Sequence, residues 1–185
     1  VYLTEDELER YRELSEKIES GMVFDKNGKP KLTEYVKSLM ISRARVVAGA
    51  QNKIPLLLKY MEKYKEDKHI LVYCGSTKTE DTELQEECRQ IDLITKCLAK
   101  KLHMKVARFT SGENRKERQV LIEKFTEGEE IQSLVAIKCL DEGVNIPAIK
   151  TAFILASTTN PKEYIQRRGR VLRLSPGKEY AEIYD

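Results

Sequence analysis

Little in this sequence supports sulfur-based metal binding, membrane insertion or a phosphate loop of its own. The four cysteines, at positions 74, 88, 97 and 139, form no Cys-x-x-Cys pair, and the two histidines, His69 and His103, stand far from zinc-finger spacing. The cysteines read as reduced, small apolar side chains, which points to a reducing compartment: cytoplasmic, or nuclear in a eukaryote. No apolar run approaches the ~20 residues needed to span a bilayer, so no membrane partner is expected. No signal peptide is visible, and neither is an internal repeat or low-complexity tract. The chain opens on Val1 rather than Met, as expected of a piece of a longer polypeptide. The most consequential absence is Gly-x-x-x-x-Gly-Lys-[Ser/Thr]. Gly177-Lys178 is followed by Glu179 and lacks the upstream glycine, which argues against a self-contained phosphate-using enzyme. Asp141-Glu142 is not read as a metal pair, because Lys138-Cys139-Leu140 separate it from the preceding apolar run and Gly143 belongs to a tight turn. No metal ligand is assigned to this chain.

What is present is an ordinary soluble composition, 41% hydrophobic and 34% charged over 185 residues, enough for one domain with a proper core. The net charge of +3 is too small to demand a polyanion, so its distribution matters more. Residues 161–178 carry Lys162, Arg167, Arg168, Arg170, Arg173 and Lys178 against Glu163 alone. Residues 80–92 are as strongly acidic and are read as the start of a helix.

From residue 67 onward the pattern alternates between strand and helix. Ile70–Cys74 is wholly apolar, the mark of a strand covered on both faces. A helix is expected over 83–102, its stripe traced by Leu84, Cys88, Ile91, Ile94, Thr95 and Leu98. A strand follows at 105–109, a helix at 114–125 with Val120, Leu121 and Phe125 inward, and strands at 134–137, 152–155 and 180–184. Such alternation implies an α/β fold with a parallel sheet flanked by helices. Residues 1–66 read instead as a helical lead-in packed on that domain. It has a capping box at Thr4 and Glu7, a loop over 22–31, and helices over 32–47 and 53–64. The expected division is 1–66 and 67–185.

The arginine cluster at 167–173 gives the strongest functional signal. Asn160, Pro161 and Glu163 are a good N-cap, first helical residue and capping-box acid. On the helix they start, Arg167, Arg170 and Arg173 succeed one another at spacing three, while Arg168 points elsewhere. Gly169 costs roughly 1 kcal/mol inside a helix, so close approach by another backbone or a ligand is the expected compensation. The fixed fork of a guanidinium suits phosphate oxygens.

Gln166-Arg167-x-Gly169-Arg170-x-x-Arg173 resembles motif VI of superfamily 2 helicases and translocases. Gly143-x-Asn145-Ile146-Pro147 resembles motif V, Ile70–Cys74 with Gly75-Ser76 resembles motif IV, and Phe109-Thr110-Ser111-Gly112 with Arg118 and Phe125 fits the segment between them. Order and spacing agree over residues 69–185. The resemblance implies a RecA-like, P-loop NTPase-like second motor domain. ATP would be shared with a preceding RecA-like domain of the same polypeptide, which would supply the phosphate loop and hold Mg²⁺. Arg170 and Arg173 would be the arginine fingers, with Gln166, Arg167, Gly143 and Asn145 at the nucleotide. Gly75, Ser76, Thr110, Ser111, Gly112 and Lys138 would grip the nucleic-acid backbone. Thr110 and Ser111 fit simple helix capping nearly as well. Ile137-Lys138 stands where many relatives have Thr-Asp, which leans toward DNA over RNA. The fragment alone is expected to be inactive. The alternative is a RecA-like binding module for nucleic acid or protein, without an ATPase role.

Overall fold

The computed structural model describes residues 1–75, 78–81, 86–137, 145–156, 165, 168, 169 and 171–185. The chain divides into two compact units, Val1–Lys53 and Ile54–Asp185.

In the first unit, α1 (Glu5–Ser20) starts on Thr4, whose hydroxyl accepts from the Glu7 amide while the Glu7 carboxylate accepts from Thr4 N–H. Both partners of the expected capping box are therefore in place. The stretch expected to be a loop contains a two-stranded antiparallel hairpin, β1 (Val23–Phe24) and β2 (Pro30–Lys31). Its turn is held by the Asp25 carboxylate, which accepts from the amides of Asn27 at 2.8 Å and Lys29 at 2.9 Å. Thr33 then caps α2 (Glu34–Ala48). Arg43 joins the two helices, donating to the Ser15 hydroxyl and lying over the Tyr11 ring.

The second unit begins within α3 (Lys53–Met61), which runs into a 3₁₀ turn at Glu62–Tyr64. Ile54, Leu57, Met61 and Tyr64 are buried in the core beside the main sheet. The elements that follow are β3 (Ile70–Cys74), β4 (Lys78–Asp81), β5 (Glu86–Arg89), α4 (Gln90–Lys101), β6 (Val106–Phe109), α5 (Arg115–Glu127), β7 (Ser133–Ile137), β8 (Thr151–Ile154) and β9 (Glu182–Tyr184). Five strands form a parallel sheet in the order β6-β7-β3-β8-β9. Alternate residues of β3 face opposite ways, as a strand requires. Ile70, Val72 and Cys74 join the cluster containing α3 and α4, whereas Leu71 and Tyr73 join the cluster containing α5 and Val171. Among the described residues, no helix is long and apolar enough to cross a membrane.

Two expectations need correction. The helix expected from residue 83 starts at Gln90, and the acidic run before it contributes the antiparallel pair β4–β5. The spacing of Leu84, Cys88 and Ile91 imitates a helical stripe, but Cys88 belongs to β5. Val120, expected inward on α5, is exposed; Phe125 is fully buried, and Leu121 and Ile122 are half-buried against its cluster. The buried face is thus rotated from the one expected. The ends of α5 agree with its sequence: Asn114 and Glu117 complete a capping box, and Gly128 terminates the helix at φ +75°.

Candidate functional site

Parallel strands bring their carboxyl ends to one edge, where ligands of open α/β sheets bind. The register sets Cys74 beside Ile137, Phe109 beside Ala136, and Tyr73 beside Ile154. Gly75, Thr110 and Leu155 therefore leave the sheet along the same edge. Leu155 is tied there by its amide, which donates to Tyr73 O at 2.8 Å.

Gly75 is held from below. Its amide donates to Gln90 Oε1 at 3.2 Å, and Gln90 is almost wholly buried at the first position of α4. A buried carboxamide must be hydrogen-bonded to be tolerated, so α4 starts where it can serve the end of β3. Nothing in the local sequence marks Gln90 for this role.

The 110–113 turn is built around a carboxylate. Glu113 Oε2 accepts from the Thr110 amide at 2.6 Å, and both Glu113 oxygens accept from the Thr110 hydroxyl, at 3.0 and 3.1 Å. Thr110 Oγ1 also accepts from the Gly112 amide at 3.0 Å. Arg118, lying over the Phe109 ring, donates to Thr110 O. The helix cap is Asn114, which accepts from the Lys116 and Glu117 amides, so capping by Thr110 or Ser111 is not what these residues do here. Ser111 and Gly112 are exposed. Glu113 was not singled out from the sequence; its place three residues after a strand-ending threonine is the available signal.

The segments resembling motifs V and VI converge. Ile146, Ala148 and Ile149 are buried in the same apolar cluster as Val171, and Asn145 is exposed. Helical residues are described at 165, 168, 169 and 171, and the Leu172 amide donates to Arg168 O at 3.0 Å. Ile165 and Leu172 are exposed, whereas Val171 is buried. Arg168 turns to Asp185, with Nη2 donating to Oδ2 at 3.0 Å, while Arg173 is exposed. A Cβ at Gly169 would meet no atom of the described residues within 4 Å, so none of these makes the expected close approach. Ser76, Lys138, Gly143, Gln166, Arg167 and Arg170 lie outside the described residues, as do Asn160, Pro161 and Glu163.

Lys178 joins the two segments. Its ammonium donates to Val171 O at 2.5 Å, Arg173 O at 2.8 Å and Pro147 O at 3.4 Å. Burial pushes its pKa below the ordinary lysine value. In the sequence this lysine attracts notice only as part of the basic run over 161–178 and as a failed phosphate loop.

The profile of the helicase conserved C-terminal domain matches residues 52–175. The chain belongs to that family. This helicase C-terminal domain is also 28% identical, over 149 residues, to the DNA 3'-5' translocase XPB2 of Sulfurisphaera tokodaii; the match covers 80% of this chain and 28% of the relative's length. Its fold is that of the Sulfolobus solfataricus SWI2/SNF2 ATPase C-terminal domain, at a TM-score of 0.57 and 16% identity, covering 83% of this chain and 68% of that one. It is also that of the E. coli DEAD-box protein SrmB, in a structure bound to regulator of ribonuclease activity A, at a TM-score of 0.53 and 19% identity, covering 72% and 69%. The C-terminal part of the Fun30 ATPase domain matches at 0.51 and 21%, covering 76% and 39%. The RecA-like fold expected from the motifs is thus present: a five-stranded parallel sheet flanked by helices.

Proposed function

We propose that this chain is the second motor domain of an ATP-dependent DNA helicase or translocase. The observation that carries the reading is the division of labour in the arginine segment: Arg168 pairs with Asp185, whereas Arg173 is exposed and its carbonyl shares the Lys178 ammonium with that of Pro147. Arg173, together with Arg170, reaches a triphosphate held by a preceding RecA-like domain and offsets charge on the γ-phosphoryl group in the transition state. Gln166, Arg167, Gly143 and Asn145 complete this side of the nucleotide cleft. Mg²⁺ would be held by the preceding domain, where it would offset phosphate charge.

Gly75, Ser76, Thr110, Ser111, Gly112 and Lys138 form the backbone grip, largely indifferent to base identity. The similarity to a DNA translocase supports DNA as the polymer. The fingers reach ATP only in a closed cleft, so hydrolysis is coupled to domain closure and closure moves the grip along the strand.

The experiment is ATP turnover by the isolated chain and by the full-length protein, with Arg173→Ala in the latter. We expect no turnover from the isolated chain and a loss of about 10³-fold or more in kcat from Arg173→Ala, with little change in ATP affinity. Robust turnover by the isolated chain would contradict the half-site reading. An inactive full-length protein lacking a phosphate loop upstream would favour the binding module.

A further inference from the structure

We propose that Lys178 is a positioning residue for the motor reaction, its ammonium clamping the end of the arginine segment to the loop at Pro147 and so fixing the point from which Arg173 projects. This rests on the reading of Arg173 given above.

An ammonium carries three protons, and here three carbonyls face it: Val171 O, Arg173 O and Pro147 O. The carbonyls that end a helix have no partner within it, and a cation there is favoured by the helix dipole. Lys178 meets that need from beyond the helix. The chain reverses at 175–178, where the Lys178 amide donates to Ser175 O at 3.0 Å. Gly177 sits in this reversal at φ +72°, with open space where a Cβ would be. The glycine is therefore needed for its backbone conformation rather than for room. Its effect is to return the lysine beneath the helix end.

The consequence for function lies in what each contact holds. Val171 is already fixed by burial. Arg173 lies past the last helical residue and its side chain is exposed, so Lys178 grips its backbone and leaves its guanidinium free to project. The third bond, to Pro147, makes the loop and the arginine move together. A reacting group misplaced by about 1 Å can lose about 10²-fold in rate, so holding the Cα of a finger residue matters to turnover even though the lysine touches no substrate.

The test uses the full-length protein at saturating DNA, comparing Lys178→Met, Lys178→Arg, Arg173→Ala and the Lys178→Met/Arg173→Ala pair. Lys178→Met should lower kcat about tenfold with KM for ATP within about twofold, and Lys178→Arg should recover most of the loss because it keeps charged donors. In the Arg173→Ala background, Lys178→Met should slow turnover no further, since there is no finger left to position. Lys178→Gln, with two donors and no charge, replaces Lys178→Met if that variant does not fold. The proposal is overturned if the lysine variants leave kcat unchanged, or if Lys178→Met slows the Arg173→Ala protein by the same factor as the wild type. If Arg173→Ala itself turns over normally, the finger reading falls and this proposal falls with it; an impaired Arg173→Ala beside a normal Lys178→Met sinks the clamp alone.

Discussion

Arg168→Ala tests whether the arginines of 167–173 divide as described. The Arg168–Asp185 pair spans 3.0 Å, with side chains 37% and 14% exposed, and Asp185 immediately follows the edge strand β9. At an effective dielectric of about 20, two charges at that distance attract by roughly 5 kcal/mol before any desolvation. Side-chain ordering and desolvation remove most of this: exposed pairs retain about 0.2–1 kcal/mol, while hydrogen bonds to charged groups retain about 1.5–3. The geometry lies between these limits, so Arg168→Ala should cost about 1.5 kcal/mol. For a chain of this size, that lowers Tm by about 3–6 °C. Asp185→Asn should shift Tm in the same direction. Melting of the purified variants by circular dichroism measures the loss, and ATP turnover of the full-length protein gives the other half of the test. Arg168→Ala should keep kcat within about twofold of the wild type, whereas removal of a finger costs about 10³ or more. An Arg168→Ala protein with unchanged Tm and a collapsed kcat would refute the assignment, because the catalytic face of the helix would then be the wrong one.

Three further outcomes are expected. Gly128→Ala should destabilise by about 1–2 kcal/mol, because the residue sits at φ +75° and a Cβ would lie 2.6 Å from Lys68 Cδ; an unchanged urea midpoint would count against this. Among Tyr64, Tyr184, Glu182 and Lys63, hydrogen bonds run from the Lys63 ammonium to Tyr184 and from Tyr64 to Glu182, with the two phenols 2.6 Å apart. The Lys63 hydrogen bond holds the Tyr184 pKa below the ordinary phenol value, whereas burial and the bond to Glu182 hold that of Tyr64 above it. As pH rises, Tyr184 should therefore ionise first; ultraviolet titration should show a step below the bulk of the tyrosines that vanishes in Tyr184→Phe, and its survival there would reassign it. Finally, Glu113 occupies the donors that a strand phosphate would use at Thr110, so Glu113→Gln should tighten single-stranded DNA binding about three- to tenfold at fixed salt, and Thr110→Val should weaken it. Fluorescence anisotropy that finds neither change would remove Thr110 from the grip.

Much of the fold was legible because it rests on local rules. Ile70–Cys74 begins and ends where its unbroken apolar run does, since a strand covered on both faces leaves no place for a polar residue. Helix α5 was legible through its start at Asn114. The β4–β5 pair was not, because apolar residues at 84, 88, 91, 94 and 98 satisfy helical spacing across a boundary set by tertiary need. Gln90 has to turn inward to hold Gly75, and that requirement is invisible along the chain. The same limit applies at the site. Arg173, Asn145 and Thr110 were singled out by motif spacing, whereas the contacts of Glu113 and Lys178 exist only once the chain has folded back.

The ties on the arginine segment differ in kind, and this bears on how the segment works. Burial of Val171 contributes about 1.5–2 kcal/mol, Arg168 adds an ion pair of similar size, and Lys178 bonds the terminal carbonyls. Ile165 and Leu172 are exposed and add little burial, so apolar packing carries only part of the load. Among the described residues, Val171 is held on its buried side and Lys178 grips the backbone, while Arg173 is left exposed. Replacing one arginine by another kind of cation is therefore not equivalent along this stretch. At 168 the fork serves an internal carboxylate, and at 173 it is available to a phosphate from outside the chain.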